Sequence, residues 1–392
     1  MDEIDFYRAR AREWLAEHAP RTDIETDLEA SRDFQARLHA AGFAGITWPA
    51  DYGGQGLAAQ HERAFRDEAM RYPLPAVPFA IGIGMAGPVL MDLGTEEQRR
   101  RYLPPILRGE EIWCQLFSEP DAGSDVASLQ TRAVREADGW VVTGQKVWAS
   151  RAHFAERGIL VARTDPGRPK HSGLTMFVVD MRAAGIDVRP LRDMTGNVHF
   201  NEVYFDGVRL PPDAVVGRVD EGWSAALTML KHERVAIGTR NRSEATPLSA
   251  RALALRQASP MSPEVHAALG RLAVEERAVA LLAARMAEER AAGAELGARG
   301  SVAKLASSQL ARNAADLAVS LAADRGIGFE ADDRQTAELI TAIDWTPASG
   351  IAGGTTEVQR NIIAERVLGL PKEPQSDRDV PFNRLTVGSI KR

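Results

Sequence analysis

The chain has 392 residues and a single cysteine, Cys114. That excludes an intrachain disulfide and any metal site built from several cysteines. A lone cysteine beside a strand-like run reads as a small core residue. An excess of positive charge is also missing. The 48 lysines and arginines stand against 54 acids, for a formal net charge of −6, which leaves no electrostatic footprint for nucleic acid. Arg99-Arg100-Arg101 reads instead as a solvated helix face. No apolar run reaches about 18 residues, the length that marks a membrane span. The opening MDEIDFYRAR is acidic and amphipathic, unlike a secretory signal. The expectation is a cytoplasmic protein with no nucleic-acid or membrane partner, long enough for about two or three domains.

What is present is organised in three stretches. Ile4, Tyr7, Ala11, Trp14 and Leu15 recur at helical spacing until Pro20. Thr95 followed by Gln98 is a capping-box signature, opening a helix that Pro104-Pro105 should close. Trp48-Pro49 and Asp51-Tyr52-Gly53-Gly54-Gln55-Gly56 form a turn-rich loop between helices. Gly82-Ile83-Gly84-Met85-Ala86-Gly87 matches the dinucleotide fingerprint G-x-G-x-x-G. That motif needs a strand before it and a helix after it, whereas Pro75 and Pro78 precede it and Pro88 follows at once, so it is rejected. From about Trp113 to Gly217, short β-branched and aromatic runs separated by Gly, Pro and Asp predict strands, with Asp138-Gly139 as a hairpin turn. Helices return from Glu221. Val265, Leu269, Leu272, Val279, Leu282 and Met286 lie on one helical stripe, and Ser301 to Asp324 is a second amphipathic stretch. The tail after Leu370 is polar and predicts an extended arm.

The most informative segment is 115–150, QLFSEPDAGSDVASLQTRAVREADGWVVTGQKVWAS. Trp148 and Ser150 alternate on a predicted strand, so their side chains should share a face. A ring-sized aromatic near a hydroxyl suits stacking on a flat cofactor with a hydrogen bond to its edge. By themselves the two also read as an ordinary buried tryptophan and a strand-end serine. Ser118 and Ser124 read equally as turn chemistry in a Pro/Gly/Asp-rich loop. Taken in register, Ser118-Glu119-Pro120, Ala122-Gly123-Ser124-Asp125, Gly144, Lys146, Trp148 and Ser150 resemble the flavin-binding core of the acyl-CoA dehydrogenase family. Asp51 to Gly56 and the Gly94-to-Glu110 segment resemble its N-terminal elements.

This resemblance covers nearly the whole chain. It implies an α+β fold: an N-terminal helical domain (1–112), a middle β-barrel or sandwich domain (113–217), a C-terminal four-helix bundle (218–370) and a tail (371–392). It implies FAD as cofactor, an acyl-CoA substrate and electron-transfer flavoprotein as electron acceptor. Ser118 and Ser150 would contact the flavin, Gln115 and Phe117 would line its pocket, and Ser124 would lie near the pantetheine or pyrophosphate of the thioester. The implied reaction removes the α-proton to a carboxylate while the β-hydrogen leaves as hydride to the flavin. A carboxylate desolvated beside an apolar acyl chain becomes basic enough for the first task.

Many family members carry that carboxylate in a C-terminal Tyr-Glu-Gly-Thr motif. Here the matching turn is Ile351-Ala352-Gly353-Gly354-Thr355-Thr356-Glu357, with Gly353 where the glutamate would stand. The Gly353 N–H would still help hold the thioester oxygen, while the resemblance places Thr355 and Glu357 towards the flavin. Isovaleryl-type and long-chain-type members place the base on an earlier helix, in a Glu-Arg pair. Lys231-His232-Glu233-Arg234 occupies that place, making Glu233 the expected base and Arg234 its charge partner. By itself, such a pair reads as a surface ion pair on a helix.

The family's adenosine-side segments are replaced here by NRSEATPLSARALALRQ and by Ser320 to Arg325. This pattern resembles a divergent bacterial branch, some of whose members act in steroid or specialised lipid catabolism and assemble as heteromers. Two readings follow. One is an active dehydrogenase, a homotetramer or homodimer. The other is a non-catalytic or half-site subunit of a heterotetramer that completes a neighbour's flavin site. A flavin oxidase acting on a substrate without coenzyme A is a third.

Overall fold

The computed structural model describes residues 2–239, 261–294, 297–322, 333–374, 377–387 and 390–391. Two units are compact in themselves: 1–193 with 198–236 and 373–392, and 194–197 with 237–372.

The first unit begins with helices. The Asp2 carboxylate accepts the Asp5 N–H at 2.7 Å and opens α1 (Glu3–His18). Helices α2 (Leu28–Ala40) and α3 (Ala59–Ala69) follow, and Tyr7, Ala11, Phe34, Leu38, Phe43 and Ala64 bury their apolar faces in one cluster. Gly82–Ala86 is a single π-helical turn running into α4 (Gly87–Leu93), so the glycine-rich stretch is helical throughout. Helix α5 (Glu96–Arg108) carries the expected capping box of Thr95 and Gln98. It does not stop at Pro104-Pro105, which lie inside it. Each proline removes a backbone donor, but Leu103, Ile106 and Leu107 are buried on either side of them, and that packing holds the last turn.

The strands then form one mixed sheet. They are β1 (Trp113–Leu116), β2 (Arg132–Glu136), β3 (Gly139–Lys146), β4 (Arg157–Arg163), β5 (Leu174–Asp180), β6 (Ile186–Leu191), β7 (Phe200–Leu210) and β8 (Val215–Val216). Their order is β6-β7-β3-β2-β4-β5-β8, with β1 running parallel to β4. The hairpin between β2 and β3 exists, but Glu136 already pairs with Gly139. Its turn is therefore Ala137-Asp138, one residue earlier than expected. Both faces of β4 are buried: Ile159 and Val161 point into one core, Leu160 and Ala162 into the other. Burial on both faces explains why GILVA reads as a continuous apolar run rather than an alternating one.

Helix α6 (Gly222–Thr239) follows the sheet. The second unit holds α7 (Pro263–Ala291), α8 (Arg299–Ala322), α9 (Arg334–Ser349) and α10 (Thr356–Arg366). The predicted stripe on α7 is seated on α8. Val265 and Leu269 pack at Ala318 and Leu321, while Leu272 and Val279 pack at Leu310 and Ala314. Among the described residues no helix is long and apolar enough to cross a membrane.

Candidate active site

The site grows from β1 and the loop behind it. Cys114 is fully buried, and burial pushes its thiol up to about 12, which makes it a packing residue rather than a nucleophile. Its neighbour Gln115 points the other way along the strand, and its side-chain amide donates to Glu233 Oε2 at 3.4 Å. Glu233 sits on α6 and is only 7% exposed. The structure thus brings two expected site residues, 118 positions apart, into contact. The side chain of Arg234 lies outside the described part of the molecule, as does the NRSEATPLSARALALRQ segment.

Past Leu116 the chain leaves the sheet, and its backbone is stitched to the end of β3. Lys146, fully buried, donates from Nζ to Phe117 O at 3.0 Å and to Glu119 Oε1 at 2.8 Å. Glu119 also accepts the backbone N–H groups of Gln130 at 2.6 Å and Thr131 at 2.9 Å. Burial alone would raise the Glu119 carboxyl, but Lys146 and these donors hold it below the usual range. The Val147 N–H donates to Ser118 O at 2.9 Å. Ser118 is therefore held on both sides, one residue away from Trp148.

Trp148 and Ser150 do not alternate on a strand. Strand β3 ends at Lys146, and Trp148 takes a left-handed backbone with φ 60, followed by Arg151 at φ 57. These conformations are costly for side chains of this size, and a second buried anchor holds them. The Ala149 N–H donates to Asn201 O at 3.0 Å, and the Asn201 side-chain amide donates back to Ala149 O at 2.9 Å. The Arg151 N–H donates to His199 O at 2.9 Å. Phe200 meets the Trp148 ring edge-on at 5.6 Å. Nothing in the local pattern of 147–151 announces this. The available signal was Asn201 itself, a polar residue rarely favoured in a strand and here fully buried.

Ser124 lies exposed in the 122–125 turn. Its neighbour Asp125 accepts from the Ser128 hydroxyl at 2.5 Å and from Lys170 Nζ at 2.9 Å, and these bonds hold its carboxyl below the usual range against the burial that raises it. Gly353, Thr355 and Glu357 belong to the second unit. Gly353 has φ 67 and Gly354 φ 92, a double left-handed turn that suits glycine. The Gln359 side-chain amide donates to Gly353 O at 2.8 Å, and Lys304 Nζ donates to Gly354 O at 2.7 Å. Thr355 then caps α10 by accepting the Val358 N–H at 3.3 Å, with Glu357 exposed in the first turn.

These residues fit a flavin. Trp148 is 56% exposed, an unusual position for so large an aromatic. It stands beside half-buried Ser118 and Ser150 on two segments laced together by buried hydrogen bonds. An exposed aromatic ring on a backbone held in this way is a surface that a planar ring system can cover.

The sequence order, helices, then a sheet domain, then helices again, is the order in which known domain families match the chain. Three family models match the chain in succession: the N-terminal domain of acyl-CoA dehydrogenase over residues 1–110, the middle domain over 114–208 and the C-terminal domain over 220–368. The chain belongs to the acyl-CoA dehydrogenase family. The members of this family are FAD-dependent oxidoreductases acting on acyl-CoA, and FAD is accordingly the cofactor.

Among its relatives is the acyl-CoA dehydrogenase IpdE1 of Mycobacterium tuberculosis, 37% identical over 391 residues, which cover 95% of this chain and 99% of that protein. The acyl-CoA dehydrogenase FadE34 of the same organism is 40% identical over 340 residues, 86% of this chain but only 46% of FadE34, so the chain spans less than half of that relative. Among solved structures, the Tcur3481-Tcur3483 steroid acyl-CoA dehydrogenase superimposes with a TM-score of 0.79 at 29% identity, covering 95% of this chain and 100% of that one. The ChsE4-ChsE5 complex of M. tuberculosis gives 0.76 at 28% identity, covering 95% and 99%.

Proposed function

We propose that the protein is an acyl-CoA dehydrogenase that desaturates the α,β bond of a coenzyme A thioester, with Glu233 as the base. The observation that carries this reading is the buried Glu233 carboxylate joined to Gln115, on the strand that leads directly into the flavin motif. A carboxylate held there can accept the α-proton, with the Gln115 amide donating to its Oε2 from β1. The Gly353 N–H is assigned to the thioester oxygen, where a donor stabilises the charge that develops as the α-proton leaves. Ser118 and Ser150 are assigned as donors to the cofactor rim and Trp148 as its ring platform, with Gln115 and Phe117 lining the pocket. Thr355 and Glu357 are assigned to the flavin side and Arg234 to charge balance of the base. Ser124 is assigned to the carrier part of the substrate. Bound FAD supplies the acceptor for the hydrogen and electron pair lost from the β-carbon.

We further propose a steroid-derived acyl-CoA as substrate, supported by the solved steroid enzyme among the neighbours. A second reading is favoured by a specific observation: two neighbours are named as pairs of different chains. In that reading the protein is a subunit of a heterotetramer that completes its flavin site with a partner from the same family. The test is anaerobic addition of butyryl-, octanoyl- and steroid side-chain coenzyme A thioesters to the purified protein. The expected outcome is a yellow, FAD-bearing protein whose visible band bleaches with the steroid thioester. A protein that stays colourless with added FAD, yet turns yellow when co-expressed with a related chain, selects the heteromer. A yellow protein that no thioester bleaches contradicts the proposed activity.

A further inference from the structure

The last of the family models stops at residue 368, yet part of the tail beyond it is docked on the sheet domain of the first unit. Phe382 is 6% exposed, and the Arg163 guanidinium lies 3.7 Å from the centre of its ring. The Phe382 N–H donates to Arg168 O at 2.8 Å and the Asn383 N–H to Pro166 O at 3.0 Å. Arg163, itself 3% exposed, donates to Ala127 O at 2.6 Å and to Lys170 O at 3.0 Å. Lys170 Nζ then sits between two carboxylates, Asp125 at 2.9 Å and Asp377 at 3.6 Å. The tail, the 164–173 connection and the 122–129 loop that bears Ser124 are thereby tied at two places. The same connection reaches the start of α6, where Thr164 donates to Asp220 at 2.6 Å and His171 packs edge-on to Trp223 at 5.0 Å.

We propose that the C-terminal tail is a strap that holds the Ser124 loop in place and so sets the affinity for the coenzyme A part of the substrate, without touching the reacting atoms. Gly123, Ser124 and Asp125 are exposed, and a free loop of this kind must be ordered when a ligand binds. A loop already held by Lys170 and Arg163 loses less conformational entropy at that step. Lys170, Arg163 and Phe382 are positioning residues in this scheme. The proposal rests on the assignment of Ser124 to the carrier end of the thioester.

The test uses the full chain loaded with FAD and free coenzyme A as the titrated probe, which removes any dependence on the acyl group. Phe382→Ala and Lys170→Met should each weaken coenzyme A binding about three- to tenfold, the scale of ordering about one further residue of the loop on binding. The flavin spectrum should stay as in the wild type, and amide hydrogen exchange over residues 122–129 should quicken. Wild-type affinity for coenzyme A in both variants overturns the proposal. Ser124→Ala locates such a failure. If it weakens coenzyme A binding while the strap variants do not, the strap alone is wrong. If none of the three weakens it, the assignment of the Ser124 loop falls as well.

Discussion

With Lys146 shortened to methionine, the Glu119 carboxylate would keep its burial and its two backbone donors but lose its cation. Removing one member of a buried ion pair costs about 3–5 kcal/mol, because the remaining charge is left uncompensated. Lys146→Met should therefore lower stability by that amount in denaturant unfolding and loosen the flavin at the same time. Acid should narrow the gap. The folded Glu119 carboxyl is held below its usual value, so the stability it contributes is present above about pH 4.3, the ordinary glutamate value, and is lost as pH falls further. In the variant, protonation instead relieves an unpaired buried charge. The difference between the two proteins should thus shrink from pH 5 towards pH 3, on the order of the single ionisation that separates them. A constant difference across that range would show that the pair is not the source of the stability.

Helix α6 carries Glu233, and its entry depends on a close approach. A Cβ placed on Gly222 would lie 2.6 Å from the Thr175 backbone on β5, where no flexible side chain can give way. Gly222→Ala should push the helix off the sheet at a cost of about 1–3 kcal/mol. The readout is a lowered melting temperature together with slower flavin reduction by substrate. An alanine variant with both values unchanged would mean that α6 is not seated as described. At this scale much was legible in the sequence. The capping box at Thr95, the strand-rich stretch from Trp113 and the α7 stripe each have a local signature. The misses have a common physical origin. The α5 helix outlasts its prolines because Leu103, Ile106 and Leu107 are buried by distant partners. Trp148 leaves the strand because Asn201, 52 residues away from Ala149, grips the backbone there. Contacts between positions so far apart leave no period in the chain. Gln115, Ser118, Trp148, Ser150 and Glu233 were singled out because a family motif marks them, whereas Asn201 lies outside that motif.

The whole molecule presents apolar side chains outward on its second unit, among them Val274 at 69% and Leu281 at 51% exposure, seven residues apart on α7. Such a stripe on a long helix calls for a partner face. Light scattering of the FAD-loaded protein should report a dimer or tetramer, alone or with a related chain. A well-behaved monomer that retains FAD would contradict this. The proposed mechanism requires Glu233 to take the α-proton, and one measurement reaches that step directly. Glu233→Gln is nearly isosteric and should keep the fold, the bound FAD and the visible spectrum. Mixed anaerobically with a thioester that bleaches the wild type, it should reduce its flavin about 10² to 10⁴ times more slowly, the usual loss for one positioned base. Reduction of the variant at the wild-type rate would contradict the mechanism, leaving Glu233 a buried helix residue and the base elsewhere.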